Sequence, residues 1–277
     1  MRLRVLSYNV HGLRDDRDAL LSVVRDVEPD VVVIQEAPRR LRWRTRCATL
    51  ARDVGLLYAV GGGPGLGNLI LVGQRVRVHE AWCVRFPLVP GRHLRGAAFA
   101  RASAGGVSFV LAGSHLSTDP ELRRDQAYLL GQAVRAARGT GAAVILGVDV
   151  NEPPGGPAWQ ALAAGTAGSG AGACSGVPVA GGDAIAGGLV DGCAAQGAAD
   201  AGAPVGLAGD SAALVDAGGP DAAPSFPARG ASQRIDAVLV DPALHVDACR
   251  VLDGAAARRA SDHLPILVDV VLPTKPV

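Results

Sequence analysis

Polar and apolar residues alternate over residues 2–10, with Leu3, Val5 and Ser7 on one face, and this period of two predicts a β-strand. Behind it, Asp15 or Asp16 serves as the cap of a helix whose apolar positions Leu20, Val23, Val24 and Val27 recur at helical spacing. Pro29-Asp30 stops that helix. Residues 31–34 are wholly apolar, as in a strand buried on both faces, and Gln35-Glu36 sits at its C-terminal end. Trp43, Cys47, Leu50 and Val54 then share one helical face, while Arg39, Arg40, Arg42, Arg44 and Arg46 lie among and ahead of them. Those arginines have two readings: a solvated helix face, or groups that steer or clamp phosphate beside Glu36.

Residues 61–65 are a glycine-rich turn or loop without the strand, spacing and Gly-Lys-Ser/Thr ending of a phosphate-cradling loop. Strands are predicted over 67–72, 97–102, 107–113, 143–148, 233–240 and 246–252, with a last one ending at Leu272. Thr118-Asp119-Pro120-Glu121 reads as a capping box that opens a helix through Leu122, Leu129, Ala133 and Ala137. From 161 to 223 the chain turns to alanine, glycine and scattered aspartate, which predicts long loops with one brief ordered piece at 188–191. The strands on either side of this tract belong together. We therefore read it as an insertion within a single domain spanning 1–277, of α/β class and rich in mixed sheet.

Composition excludes some functions. Apolar residues are 49% and charged ones 19%, so the chain has a core to bury, and a net charge of +1 gives no whole-protein attraction to nucleic acid or membrane. Any anion-binding surface must be local. No basic stretch leads into an apolar signal core, and no apolar run approaches the length of a membrane span, so a monomeric cytoplasmic protein without a membrane anchor is expected. Cys47, Cys83, Cys174, Cys193 and Cys249 are widely spaced and odd in number, unlike a disulfide framework or a zinc site.

The chemistry gathers at strand ends. Asn9, Glu36, His115, Asp149, Asn151, Asp236, Asp262 and His263 are polar residues at the ends of, or inside, apolar strands. Alternation points Asp149 and Asn151 to the same side. The set is oxygen-rich, which favours Mg2+ or Mn2+ over zinc, and two histidines accompany it for proton transfer. A hard cation, amide donors and an acid/base pair are what hydrolysis of a phosphate ester needs.

In order along the chain, Ser7-Tyr8-Asn9-Val10-His11-Gly12, Gln35-Glu36, Gly67-Asn68-Leu69-Ile70-Leu71, Ser114-His115-Leu116, Gly147-Val148-Asp149-Val150-Asn151, Arg234-Ile235-Asp236 and Ser261-Asp262-His263-Leu264-Pro265 resemble the motifs of the endonuclease/exonuclease/phosphatase superfamily, the deoxyribonuclease I-like fold. The resemblance implies a four-layer αββα sandwich of two mixed β-sheets with the active site at one edge. It implies that Glu36 holds the metal with Asn9 and Asp262 beside it, and that Asp149 and Asn151 position water and a phosphoryl oxygen. It further implies that Asp236 orients His263, that His115 serves the leaving group or the phosphate, and that Arg95 contacts phosphate.

No aromatic-rich segment precedes Arg234-Ile235-Asp236, and a histidine stands at 115; both are unlike abasic-site endonucleases. No conspicuous apolar loop speaks for a sphingomyelinase. The expected activity is a nuclease-like phosphodiesterase, with nucleic acid among its candidate substrates. The alternatives are a phosphomonoesterase acting on a soluble organic or inositol-type phosphate, and a non-catalytic binding module of the same fold.

Overall fold

The computed structural model describes residues 1–139, 141–167 and 213–273. Along them run β1 (Arg2–Asn9), α1 (Arg17–Val27), β2 (Val31–Gln35), α2 (Trp43–Asp53), β3 (Leu57–Gly61), β4 (Leu69–Val72), β5 (Arg77–Arg85), β6 (Gly96–Ala104), β7 (Val107–His115) and α3 (Pro120–Arg138). There follow β8 (Ala143–Asp149), α4 (Pro157–Ala167), β9 (Val215–Asp216), β10 (Asp236–Val240), β11 (His245–Val251), α5 (Ala257–Ala260) and β12 (Ile266–Val271). The strands make two six-stranded sheets, ordered β11-β12-β1-β2-β4-β3 and β5-β6-β7-β8-β10-β9. Each is mixed: β1 runs parallel to β2 and β7 to β8, and the remaining pairs are antiparallel.

Three apolar layers hold this together. Between the sheets pack Leu3, Val5, Val33, Phe109, Leu111, Ile145 and Val268. Tyr8, Leu20, Val24, Ile34 and Leu50 bury α1 and α2 on the outer face of the first sheet, and Phe99, Leu130, Val134 and Leu146 bury α3 and α4 on that of the second. The result is helices, sheet, sheet, helices, the αββα sandwich expected. Each fully buried Leu or Phe contributes about 1.5–3 kcal/mol relative to exposure.

The two parallel pairs position the site. In the first sheet Asn9 pairs with Gln35, so the ends of β1 and β2 finish together, and antiparallel β12 begins beside them at Ile266↔Ser7. In the second, His115 pairs with Asp149 and Asp149 with Asp236, placing the ends of β7 and β8 and the start of β10 in one row. Near this edge the sheets approach closely. A Cβ at Gly113 would lie 2.6 Å from Val33 Cγ1, and one at Gly147 would lie 2.8 Å from Ser7 Oγ. Only glycine permits that separation.

Several local expectations change. Asp16 is the cap of α1, accepting from the Ala19 N–H at 2.9 Å. The cap of α3 is Asp119, not Thr118: its side chain accepts from the Leu122 N–H at 3.2 Å, with Pro120 at the first helical position. α2 starts only at Trp43, so Arg39, Arg40 and Arg42 belong to the loop ahead of it. Gly61, read as loop, ends β3, and β3 and β5 are strands the apolar pattern did not predict. α4 enters the start of the alanine-glycine tract, and the piece at 188–191 lies outside the described residues. Cys47, Cys83 and Cys249 are free thiols; Cys174 and Cys193 fall outside the described residues. Among the described residues, no helix is long and apolar enough to cross a membrane.

Candidate active site

All nine residues singled out from the sequence belong to segments that end at one edge of the sandwich. The first sheet supplies Asn9 at the end of β1, Glu36 just past β2, and Asp262-His263 just before β12. The second supplies Arg95 just before β6, His115 and Asp149 at the ends of β7 and β8, Asn151 two residues on, and Asp236 at the start of β10.

A continuous line of polar contacts crosses from one sheet to the other. Asp236 Oδ2 lies 2.8 Å from His263 Nδ1. The Asn9 amide nitrogen is 3.4 Å from His263 Nε2 and donates to Asp149 Oδ2 at 2.8 Å. Asp149 Oδ1 accepts from the Asn151 N–H at 3.0 Å, and the Asn151 amide nitrogen lies 2.9 Å from His115 Nε2 while donating to the Leu116 carbonyl at 3.0 Å. His115 Nδ1 is 3.8 Å from Glu36 Oε1. At the far end, Ser261 Oγ donates to the Asn9 carbonyl at 2.7 Å and fixes the loop that carries Asp262.

Burial assigns charge states. The Leu116 carbonyl fixes the Asn151 amide with its nitrogen toward His115, so Nε2 accepts and the ring proton sits on Nδ1. Burial holds His115 down at about 3, against the pull of Asp149 and with the push of Arg95, His263 and Arg39. It is a neutral imidazole. Burial lowers His263 as well, but the hydrogen bond and charge of Asp236, with the charges of Asp149 and Asp262, outweigh it and raise the ring to about 9. A 3.4 Å contact with the Asn9 amide, useful only to a neutral ring, is too long to reverse this. Burial raises the Asp149 carboxyl and Asp236 adds to the rise, while His115, His263 and Asn9 oppose it.

Four positions carry unusual backbone or polar states. Glu36 and Asn151 both hold φ = +56°, a left-handed conformation that costs a β-unbranched residue about 1 kcal/mol or more. Arg95 Nε and His115 Nδ1 are buried with no hydrogen-bond partner. Burial lowers the Arg95 guanidinium from its ordinary value; Asp149 and Glu36 counter this, and Arg39 reinforces it.

Donor groups for a cation divide into two sets. Asp149, Asp236 and His263 bring donor atoms within 4.8 Å of one another, but all three are buried and already hydrogen-bonded to each other or to Asn9, Asn151 and Ser225. Glu36 and Asp262 are carboxylates whose side chains are 34% and 40% exposed. Glu36 accepts no hydrogen bond from a described residue, and the neutral, partnerless His115 Nδ1 stands 3.8 Å from its Oε1. Asp262 Oδ1 takes only a long 3.3 Å hydrogen bond from Ser261 Oγ, and such half-exposed hard oxygen donors fit a hard divalent cation.

Some participants were not visible as such in the sequence. Ser225 Oγ donates to Asp236 Oδ2 at 2.6 Å, and the Phe226 ring packs 4.8 Å from that of His263. His11 Nδ1 lies 2.8 Å from Asp15 Oδ2 and 3.9 Å from Asp262 Oδ1. Arg39 donates to the carbonyls of Leu66 and Leu94. His11 and Ser261 stood inside recurrent motifs and Arg39 was among the arginines read as candidate phosphate clamps, while Ser225 and Phe226 carried no such signal.

The model of the Endonuclease/Exonuclease/phosphatase family matches residues 6–263. No curated protein matches the chain by sequence. Among solved structures, a mannosyl-6-phosphatase of Bacteroides thetaiotaomicron superposes with a TM-score of 0.68 at 17% identity, covering 98% of this chain and 100% of its own. TDP2 of D. rerio, complexed with a single-strand DNA product, gives 0.65 at 20%, covering 98% and 99%. The human Nocturnin catalytic domain with bound sulfate gives 0.67 at 15%, covering 98% and 94%. At these identities the likeness is one of fold.

Proposed function

The chain belongs to the endonuclease/exonuclease/phosphatase family, and from that premise we propose that it is a divalent-metal-dependent hydrolase of phosphate esters, acting on a phosphodiester. The observation that carries the reading is Arg95: a guanidinium with a buried, partnerless Nε, set between the charges of Asp149 and Glu36, asks for an oxyanion. Glu36, with Asn9 and Asp262, would hold Mg2+ or Mn2+, which when bound supplies electrophilic pull on a phosphoryl oxygen.

The protein's own groups do the rest. Asp149, made more basic than an ordinary carboxylate by burial, takes a proton from the attacking water, and Asn9 and Asn151 hold it in place. The His263 imidazolium, oriented by Asp236, faces the phosphoryl charge together with Arg95. The water oxygen bonds to phosphorus and the P–O ester bond breaks. Neutral His115 keeps Asn151 in register and offers its Nδ1–H to the phosphate or the departing oxygen.

The nuclease-like form of the reading is supported by Arg40, Arg42, Arg44 and Arg46, all exposed directly after Glu36. The phosphomonoesterase form is favoured by Arg39 and Arg95, two cations within electrostatic reach of each other at the site, as a dianionic terminal phosphate would use. Hydrolysis of bis(p-nitrophenyl) phosphate and p-nitrophenyl phosphate with each metal separates them. The diester is expected to be the better substrate, with turnover stopped by chelator and lowered at least about 10²-fold in Glu36→Gln. Metal-independent turnover, or full activity in Glu36→Gln, would falsify the reading.

A further inference from the structure

Two stretches rim the mouth of the site: residues 37–46, the loop that leaves Glu36 and the first turn of α2, and the loop of residues 87–94, which leads into Arg95. The second is closed at its base by the Phe86 N–H donating to the Arg95 carbonyl at 3.0 Å, and turned at its tip by the Arg92 N–H donating to Val89 at 3.1 Å. Arg92 also pairs with Asp119 at 2.6 Å, and Arg39 joins the loops through the Leu94 carbonyl at 3.3 Å. The loop is thus held in shape, yet every residue from 87 to 94 is exposed. Leu41, Leu88, Leu94 and Val89 are 86%, 65%, 40% and 37% exposed, four of the seven large apolar side chains exposed among the described residues. Their concentration on two adjoining loops is not the single scatter that any surface shows.

Within the two stretches the charge has one sign. Residues 37–46 hold five arginines and residues 85–96 three, with no aspartate or glutamate in either. Arg40, Arg42, Arg46 and Arg85 are exposed and make no ion pair with a described residue. Aliphatic tips on a basic rim match the two layers of a membrane interface, acyl chains below and lipid phosphates above. A nucleic acid would draw on the arginines but has little use for leucine, and of the rings in these stretches Phe86 is buried, Trp43 is covered by the Arg44 guanidinium at 4.6 Å, and the small imidazole of His93 alone is exposed.

We propose that this rim docks on an anionic phospholipid surface, with Leu41, Leu88 and Val89 entering the acyl boundary and the arginines meeting lipid phosphates. The docked face is the mouth of the site, so Arg95 would open toward the headgroups. Docking is measured without turnover and stands apart from the hydrolytic reading.

The test is co-sedimentation of the full chain, in chelator, with vesicles of phosphatidylcholine containing about one third phosphatidylglycerol. The wild-type protein is expected to pellet with them and to bind pure phosphatidylcholine weakly. The triple variant Leu41→Ser, Leu88→Ser, Val89→Ser is expected to lose about tenfold or more in partitioning, with unchanged melting temperature and unchanged hydrolysis of a soluble ester. No binding of wild type to the anionic vesicles, or equal binding by the variant, overturns the proposal. So does a wild-type dimer in analytical sedimentation that the variant dissolves, which would give the patch to a second copy. Retention of duplex DNA that the variant loses in parallel would assign the rim to nucleic acid and overturn it equally.

Discussion

Asp236 Oδ2 sits 2.8 Å from His263 Nδ1 and takes a second hydrogen bond from Ser225 Oγ at 2.6 Å, so the carboxylate is pinned while it orients the ring. Replacing Asp236 by Asn removes the charge and keeps the shape. The expected result is a fall in turnover of about 10²-fold or more, with the alkaline limb of the pH profile moved to lower pH. In metal-free protein the same contact has a stability signature. The folded ring titrates at about 9, above its ordinary 6.5, so its contribution is fully present below pH 6.5 and is lost as pH rises through about 9. Thermal melts in chelator from pH 6 to 10 check this: the wild-type curve falls across that window and the Asp236→Asn curve falls less.

His115 makes the opposite prediction. Burial holds it near 3, so the unfolded chain binds the proton more readily than the folded one. Stability is fully present above pH 6.5 and is lost as pH falls toward 3. His115→Gln, which cannot charge, is expected to flatten the acid limb of a melting series between pH 6.5 and 4; an unchanged limb would mean the ring is protonated in the fold.

Arg95 separates activity from stability. Its Nε has no partner, so Arg95→Ala breaks no ion pair and relieves a buried cation. Turnover is expected to drop by about 10²–10³-fold, the cost of one lost transition-state donor, while the melting temperature stays level or rises. A large loss of stability would show that the residue holds the fold.

Gly147 and Gly131 test the close approaches. A methyl at Gly147 meets Ser7 and Val33, and one at Gly131 would stand 2.5 Å from the Leu162 carbonyl of α4. Each Gly→Ala change is expected to cost about 1–3 kcal/mol in urea unfolding. Gly147→Ala is also expected to lower turnover, since it pushes apart the strands that carry Asn9 and Asp149; Gly131→Ala, far from that edge, is expected to leave turnover unchanged.

What could be read from the chain follows burial. Residues 31–34 and 143–148 lie in strands covered on both faces, so unbroken apolar runs announced them. β3 and β5 are edge strands, with Leu57 and Tyr58 exposed on one and polar residues on both faces of the other, and no period survives such mixed surroundings. α4 was hidden because Ala158, Ala161, Ala163 and Ala164 make nearly every face apolar; it packs through Gly165 against α3, where size and not polarity decides. At the site, the residues inside motifs were legible. Ser225 and Phe226 were not, because their roles depend on a partner that arrives from β10 and from the loop before β12. The exposed aliphatic loop at 87–94 also escaped notice, since Leu88 and Val89, two apolar residues between prolines, look like any short buried run until their exposure is known.

The Asn9 to Asp149 hydrogen bond joins the two sheets, and neither sheet holds more than half of the polar line that crosses it. Either half alone would place a few carboxylates beside water and catalyse nothing. Competence is therefore expected late in folding, when the two sheets close on each other. Regain of activity after dilution from denaturant should lag behind regain of secondary structure, and the length of that lag would time the meeting of the sheets.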